Sequence, residues 1–134
     1  MNAPTAVVID DSSTSRRALR GMLTHLGFSV VAEGERGDQV LSLYEQFRPT
    51  VLTLDIVLPV MDGVTAVIDL LKRHPDATVV MCSSITARDK IVACRDAGVA
   101  HFVLKPFTLG RIGAVARILL AKAGTFAAIA ELTR

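Results

Sequence analysis

Residues 6–15, Ala6-Val7-Val8-Ile9-Asp10-Asp11-Ser12-Ser13-Thr14-Ser15, pass from a nearly continuous apolar run to two adjacent carboxylates and then to a string of hydroxyls. An unbroken run of branched residues is the pattern of a strand buried on both faces of a parallel sheet. The hydroxyls supply side-chain oxygens for the free N–H groups at a helix start. The helix is then read from Leu19, Met22, Leu23 and Leu26, at i, i+3, i+4 and i+7, with Gly27 where a left-handed C-terminal residue is needed. A strand entering a helix through a short acidic turn is the unit of an α/β fold.

The same unit recurs along the chain. Ser29 to Glu33 reads as a second strand, followed by a helix burying Val40, Leu43, Tyr44 and Phe47 that stops before Pro49, whose ring disfavours helical geometry at Arg48. Val51 to Asp55 is the third strand, and Val64, Val67, Ile68 and Leu71 mark the third helix, closed by His74 and Pro75. Thr78 to Cys82 is the fourth strand. The fourth helix, Ala87 to Ala97, has a thin apolar face of Ile91, Val92 and Cys94, so it is expected to be the least firmly anchored. His101 to Leu104 is the fifth strand, and the last helix turns Ile112, Val115, Ala116 and Leu119 inward, with Ile118 and Leu120 as a second apolar edge. Five strands separated by helices pair in parallel through right-handed crossovers, giving a doubly wound sheet with helices on both faces and any ligand site at the carboxyl ends of the strands.

With 134 residues, 51% hydrophobic and 21% charged, the chain fits one globular domain. We assign this domain to residues 1–123. Residues 124–134, with Phe126, Ile129, Ala130 and Leu132, read as a tail: either a helical extension over its own domain or a partner-facing segment. The net charge of +2 is scattered, which gives no block for nucleic acid. Cys82 and Cys94 have no metal-ligand spacing and read as buried free thiols. The amino terminus lacks a basic stretch ahead of its apolar run, and Arg117, Lys122 and Glu131 interrupt the apolar segment from Ile112 to Leu132. A cytoplasmic location is expected, with no membrane insertion.

The polar residues that end the apolar strands fall on one edge: Asp10 and Asp11 after the first, Asp55 after the third, Ser83 after the fourth and Lys105 after the fifth. Taken singly, a loop aspartate is a helix cap or turn former. Taken together, three carboxylates, a hydroxyl and an ammonium are an inventory for a divalent cation and a phosphoryl group. Two carboxylates about 4 Å apart repel by about 4 kcal/mol at an effective dielectric of 20, so three of them demand a cation. Lys105 offsets part of that charge and Mg²⁺ the rest, which leaves Asp55 as a nucleophile toward phosphorus.

Four segments, Val8-Ile9-Asp10-Asp11-Ser12-Ser13, Leu54 to Gly63, Cys82-Ser83-Ser84 and Lys105-Pro106-Phe107, resemble in order and spacing the response-regulator receiver domains. Within these the chain is most similar to the single-domain chemotaxis regulators of the CheY type, over about residues 5 to 122. The resemblance implies the flavodoxin-like strand order 2-1-3-4-5, which is general to flavodoxin and CheY folds. It implies that Asp55 is the phosphoacceptor and that Asp10, Asp11, Asp55 and the backbone carbonyl of Val57 hold Mg²⁺. Ser83 and Lys105 would hold the phosphoryl group, and a cis bond would precede Pro106. Phe102 would be an aromatic switch that follows Ser83 and reshapes the surface of helix four, strand five and helix five; its bland alternative is a plain core residue. The implied partners are a sensor histidine kinase or phosphotransfer protein and a downstream protein target on that surface. A phosphorylation-dependent homodimer stays open, and direct DNA binding is not expected.

Val57 and Ile85 stand where many such domains carry polar side chains that assist the water attacking the aspartyl phosphate, so slow intrinsic dephosphorylation is expected. His101 is assigned to the output surface rather than to catalysis. Arg16 and Arg17 are assigned to a solvated helix face, with kinase docking as the alternative. The chain is expected to act by binding, as a stand-alone regulator that is not an enzyme, or as a phosphate sink or relay. The enzymatic rival is an aspartate-nucleophile Mg²⁺-dependent phosphohydrolase, whose nucleophile follows the first strand in an Asp-x-Asp pattern that this chain lacks. A flavodoxin-like cofactor binder would need a phosphate-cradling loop after the first strand, and none is present.

Overall fold

The computed structural model describes residues 3–84 and 87–122. Five parallel strands, β1 (Thr5–Ile9), β2 (Ser29–Gly34), β3 (Val51–Leu54), β4 (Val79–Ser83) and β5 (His101–Leu104), form one sheet in the order β2-β1-β3-β4-β5. They alternate with α1 (Ser13–His25), α2 (Val40–Phe47), α3 (Gly63–Arg73), α4 (Arg88–Ala97) and α5 (Leu109–Lys122). Among the described residues no helix is long and apolar enough to cross a membrane. The tail, residues 124–134, and Ile85 lie outside the described residues.

The two faces of the sheet make two cores, as the period of two along a strand requires. Val7, Ile9, Leu52, Leu54, Val79 and Met81 pack with α2, α3 and Cys94 of α4. Ala6, Val8, Val51, Val80, Cys82 and Val103 pack with Leu19, Leu23 and Leu26 from the α1 side and Ile112, Ala116, Leu119 and Leu120 of α5. Cys94 is the buried residue of α4, which matches the thin apolar face of that helix. The second apolar edge of α5 divides: Leu120 is fully buried, while Ile118 is 52% exposed. A stripe wide enough to cover several strands takes two successive residues into the core.

Local chemistry closes each element near its expected end. Ser12 caps α1, its Oγ accepting from Ser15 N–H at 3.2 Å, and Asp62 caps α3 by accepting from Thr65 N–H at 2.9 Å. Arg48 ends α2 in the left-handed region, with φ 43° ahead of Pro49. Boundaries shift by a residue: β2 runs on to Gly34, β3 stops at Leu54 ahead of Asp55, β4 runs from Val79 to Ser83 rather than from Thr78 to Cys82, and α4 starts at Arg88. A single 3₁₀ turn at Gly37–Gln39 precedes α2.

Candidate functional site

The carboxyl ends of β1, β3, β4 and β5 bring the expected residues to one edge. Asp10 follows β1, where its N–H donates to the Gly34 carbonyl at 3.0 Å and its Oδ1 accepts from Ser12 N–H at 2.9 Å. Asp55 follows β3, its N–H donating to the Ile9 carbonyl at 3.1 Å and its Oδ1 accepting from Val57 N–H at 3.3 Å. Both side chains are buried, whereas Asp11 is exposed. One carboxylate oxygen from each of Asp10, Asp11 and Asp55 lies within 4.8 Å of the others.

Lys105 reaches this cluster from the end of β5. Its Nζ stands 2.8 Å from Asp10 Oδ2 and 2.9 Å from Asp55 Oδ2, with the side chain 19% exposed. Burial alone pushes the ammonium's pKa down, but the hydrogen bonds to Asp10 and Asp55 and the attraction of both carboxylates outweigh it, so the net shift is upward. Lys105 N–H donates to the Ser83 carbonyl at 3.0 Å, which ties the ends of β4 and β5, and the Lys105–Pro106 peptide is cis. Ser83 is buried on the same edge. Behind it the Cys82 thiol is pushed far up, first by burial and then by Asp55 and Asp10, so it stays a neutral core group.

Other residues are placed differently from one another. Val57 is 49% exposed at the mouth of the site. Phe102 is half-buried and packs against the core beneath α2, α3 and α4. His101 begins β5, at the end of the sheet opposite the carboxylates. Arg17 is exposed, as a solvated face requires, but Arg16 is not: its side chain is 18% exposed, its Nη1 donates to the Asp10 carbonyl at 2.6 Å and its Nε donates to Glu33 Oε1 at 3.2 Å. The charge pattern hid this because the acceptor is a backbone carbonyl. Gly63, the last residue of the segment from Leu54, has a structural task that side-chain order does not show: a Cβ there would overlap the Asp55 carbonyl oxygen. Gly63 N–H also donates to the Ile56 carbonyl at 2.7 Å.

The donor set fits a hard divalent cation. It consists of converging carboxylate oxygens with one ammonium at the rim and no soft ligand among them. Two of the three carboxylates are neutralised in part by Lys105, and the exposed third faces the approach from solvent.

This fold and edge define a class: doubly wound α/β domains that gather carboxylates and a lysine where the parallel strands end. Within that class, the chain belongs to the response regulator receiver domain family, whose family model matches residues 6–117. Among curated relatives, the chemotaxis protein CheY of Bacillus subtilis (strain 168) is 33% identical over 106 residues, covering 79% of this chain and 88% of the relative. The receiver domain of NtrX from Brucella abortus superposes with a TM-score of 0.78 at 28% identity, over 87% of this chain and 98% of that one. CheY in the CheX–CheY–BeF3–Mg²⁺ complex from Borrelia burgdorferi shares the fold, with a TM-score of 0.79 at 24% identity and 87% coverage of each chain. The phosphohydrolase alternative finds no support in these comparisons.

Proposed function

We propose that the chain is a phosphorylation-driven switch in which Asp55 takes a phosphoryl group from a phosphohistidine on a sensor histidine kinase or phosphotransfer protein. The observation that carries this is the Lys105 ammonium bridging Asp10 Oδ2 and Asp55 Oδ2 at 2.8 and 2.9 Å beside a third carboxylate. That grouping supports reading Asp55 as the nucleophile, Lys105 as its counter-charge and Asp10 with Asp11 as the metal-binding pair. A carboxylate oxygen of Asp55 attacks phosphorus, the N–P bond breaks, and the imidazole leaves and takes up a proton from solvent.

Mg²⁺ is the cation we assign, with Asp10, Asp11, Asp55 and the Val57 carbonyl as its ligands; when bound it supplies charge neutralisation for the transferred group. The chain's own residues do the rest. Val57 N–H and Lys105 hold the two oxygens of Asp55 before transfer. Lys105 and Ser83 then take the oxygens of the phosphoryl group, and the added charge of about −1.5 to −2 drives the change. Phe102 follows Ser83, and the surface of α4, β5 and α5 is the output. Leu104, Leu109 and Ile118 expose apolar area on β5 and α5, which suits a protein target. The output is binding rather than turnover, and relatives named as chemotaxis proteins favour a pathway of that kind. Residues 1–123 are the switching unit in this reading.

Intact mass after incubation with acetyl phosphate, with and without Mg²⁺, tests the proposal on wild type and Asp55→Asn. One Mg²⁺-dependent phosphate adduct, lost in the variant, is the expected result. No adduct under any condition would overturn it.

A further inference from the structure

We propose that Arg16 is a positioning residue for the cation site, acting through the peptide that joins Asp10 to Asp11; the inference rests on the metal-dependent reading above. The two carboxylates hang on either side of this one planar unit, so its orientation sets ψ of Asp10 and φ of Asp11 and thereby where both stand. One bond holds it directly: the Asp10 carbonyl accepts from Arg16 Nη1 at 2.6 Å. The preceding peptide is anchored separately, by Asp10 N–H donating to the Gly34 carbonyl at 3.0 Å, so the Asp10–Asp11 unit relies on Arg16 for its orientation.

Arg16 is itself held. Its Nε donates to Glu33 Oε1 at 3.2 Å, while Arg20 Nη1 donates to Glu33 Oε2 at 2.6 Å, so both oxygens of Glu33 are engaged. Glu33 precedes Gly34 in β2. The guanidinium thus joins the first turns of α1, the end of β1 and the end of β2 into one clasp, with the Asp10–Asp11 peptide at its centre. The clasp opposes a definite force: Lys105 is paired with Asp10 and Asp55, and the repulsion they exert on the exposed Asp11 favours swinging it into water. A planar fork makes both contacts at once, which a lysine ammonium on a single stem does not reproduce.

Calorimetric titration of Mg²⁺ into the full chain, compared for wild type, Arg16→Met, Arg16→Lys and Glu33→Gln, tests this. Arg16→Met is expected to weaken Mg²⁺ binding about 10- to 100-fold, the range for groups that orient metal ligands, with Arg16→Lys and Glu33→Gln between it and wild type. At saturating Mg²⁺ the rate of adduct formation from acetyl phosphate should return to the wild-type value, a split that general loosening of the fold would not produce. Arg16→Met binding Mg²⁺ within twofold of wild type would overturn the inference. If that variant does not fold, wild-type affinity in both Arg16→Lys and Glu33→Gln would overturn it instead. Wild type that takes up no Mg²⁺ and forms no adduct sinks the metal-dependent reading itself, whereas normal wild-type behaviour with unaffected variants sinks the clasp alone.

Discussion

Lys105 Nζ lies 2.9 Å from Asp55 Oδ2, and these two residues, 50 positions apart in the chain, meet only because β3 and β5 end on the same edge of the sheet. The contact has a pH signature. The ammonium's pKa is raised above its ordinary value of 10.5 in the folded chain, so the folded state holds that proton more tightly than the unfolded state does. Its stabilisation is therefore complete below about 10.5 and is lost as pH rises through the higher folded value. The stability difference between wild type and Lys105→Met, measured by urea denaturation from pH 8 upward, should stay level and then shrink in that alkaline window. A difference that grows with pH would contradict the assignment.

Asp11 is the carboxylate of the cluster for which a charge deletion should help the fold. Asp10 and Asp55 are each paired with Lys105, but Asp11 is exposed and adds repulsion within 4.8 Å of both. Asp11→Asn keeps the shape and removes that charge, and should raise stability by on the order of 1 kcal/mol, a screened value for a group in contact with solvent. The same change should abolish Mg²⁺-dependent phosphorylation by acetyl phosphate. Thermal unfolding and intact mass on one preparation read both effects, and a loss of stability would show that Asp11 has a structural partner in solution.

Gly63 should tolerate no side chain. It opens α3 while its Cα faces the backbone at Asp55, so an added methyl group meets the Asp55 carbonyl oxygen and forces the β3 end and the helix apart. Gly63→Ala is expected to cost about 1–3 kcal/mol, the range for overpacking, and to slow phosphorylation because the displaced segment carries the nucleophile. Chemical denaturation and the rate of adduct formation check it together; an alanine variant with wild-type values in both would mean the segment yields without strain.

Strands, helices and the acidic edge were legible because each leaves a mark in side-chain order. The run Val7-Val8-Ile9 ahead of Asp10 and Asp11 announces both a buried strand and its functional end. What stayed hidden depends on backbone partners or on packing width. Arg16 reads as a solvated charge because nothing in the side-chain pattern reports that it donates to the Asp10 carbonyl. Gly63 looks like any turn glycine until the Asp55 backbone is brought against it. Ile118 and Leu120 read alike as a second apolar edge, and only packing across several strands separates them, taking Leu120 into the core and leaving Ile118 exposed. The turn at Gly37–Gln39 is too short for any periodicity to show.

Val57 carries the kinetic prediction. It is 49% exposed at the mouth of the site, two residues after Asp55, and its N–H is already committed to Asp55 Oδ1 at 3.3 Å. An isopropyl group there offers no hydrogen bond to orient the water that must attack phosphorus to hydrolyse an aspartyl phosphate, and its bulk covers part of the approach. The phosphorylated chain should therefore lose its phosphate slowly, over minutes or longer. Val57→Asn leaves the backbone contact in place and adds a carboxamide able to hold that water, so it should shorten the lifetime by roughly 10-fold, at the low end of what one positioned polar group contributes to proton-transfer chemistry. The rate of adduct formation, which does not use that water, should be unchanged. Following the phosphate adduct by mass after removal of acetyl phosphate gives both lifetimes. A wild-type lifetime of seconds would count against the apolar mouth as the cause, and equal lifetimes in the two proteins would move the control of hydrolysis to another residue.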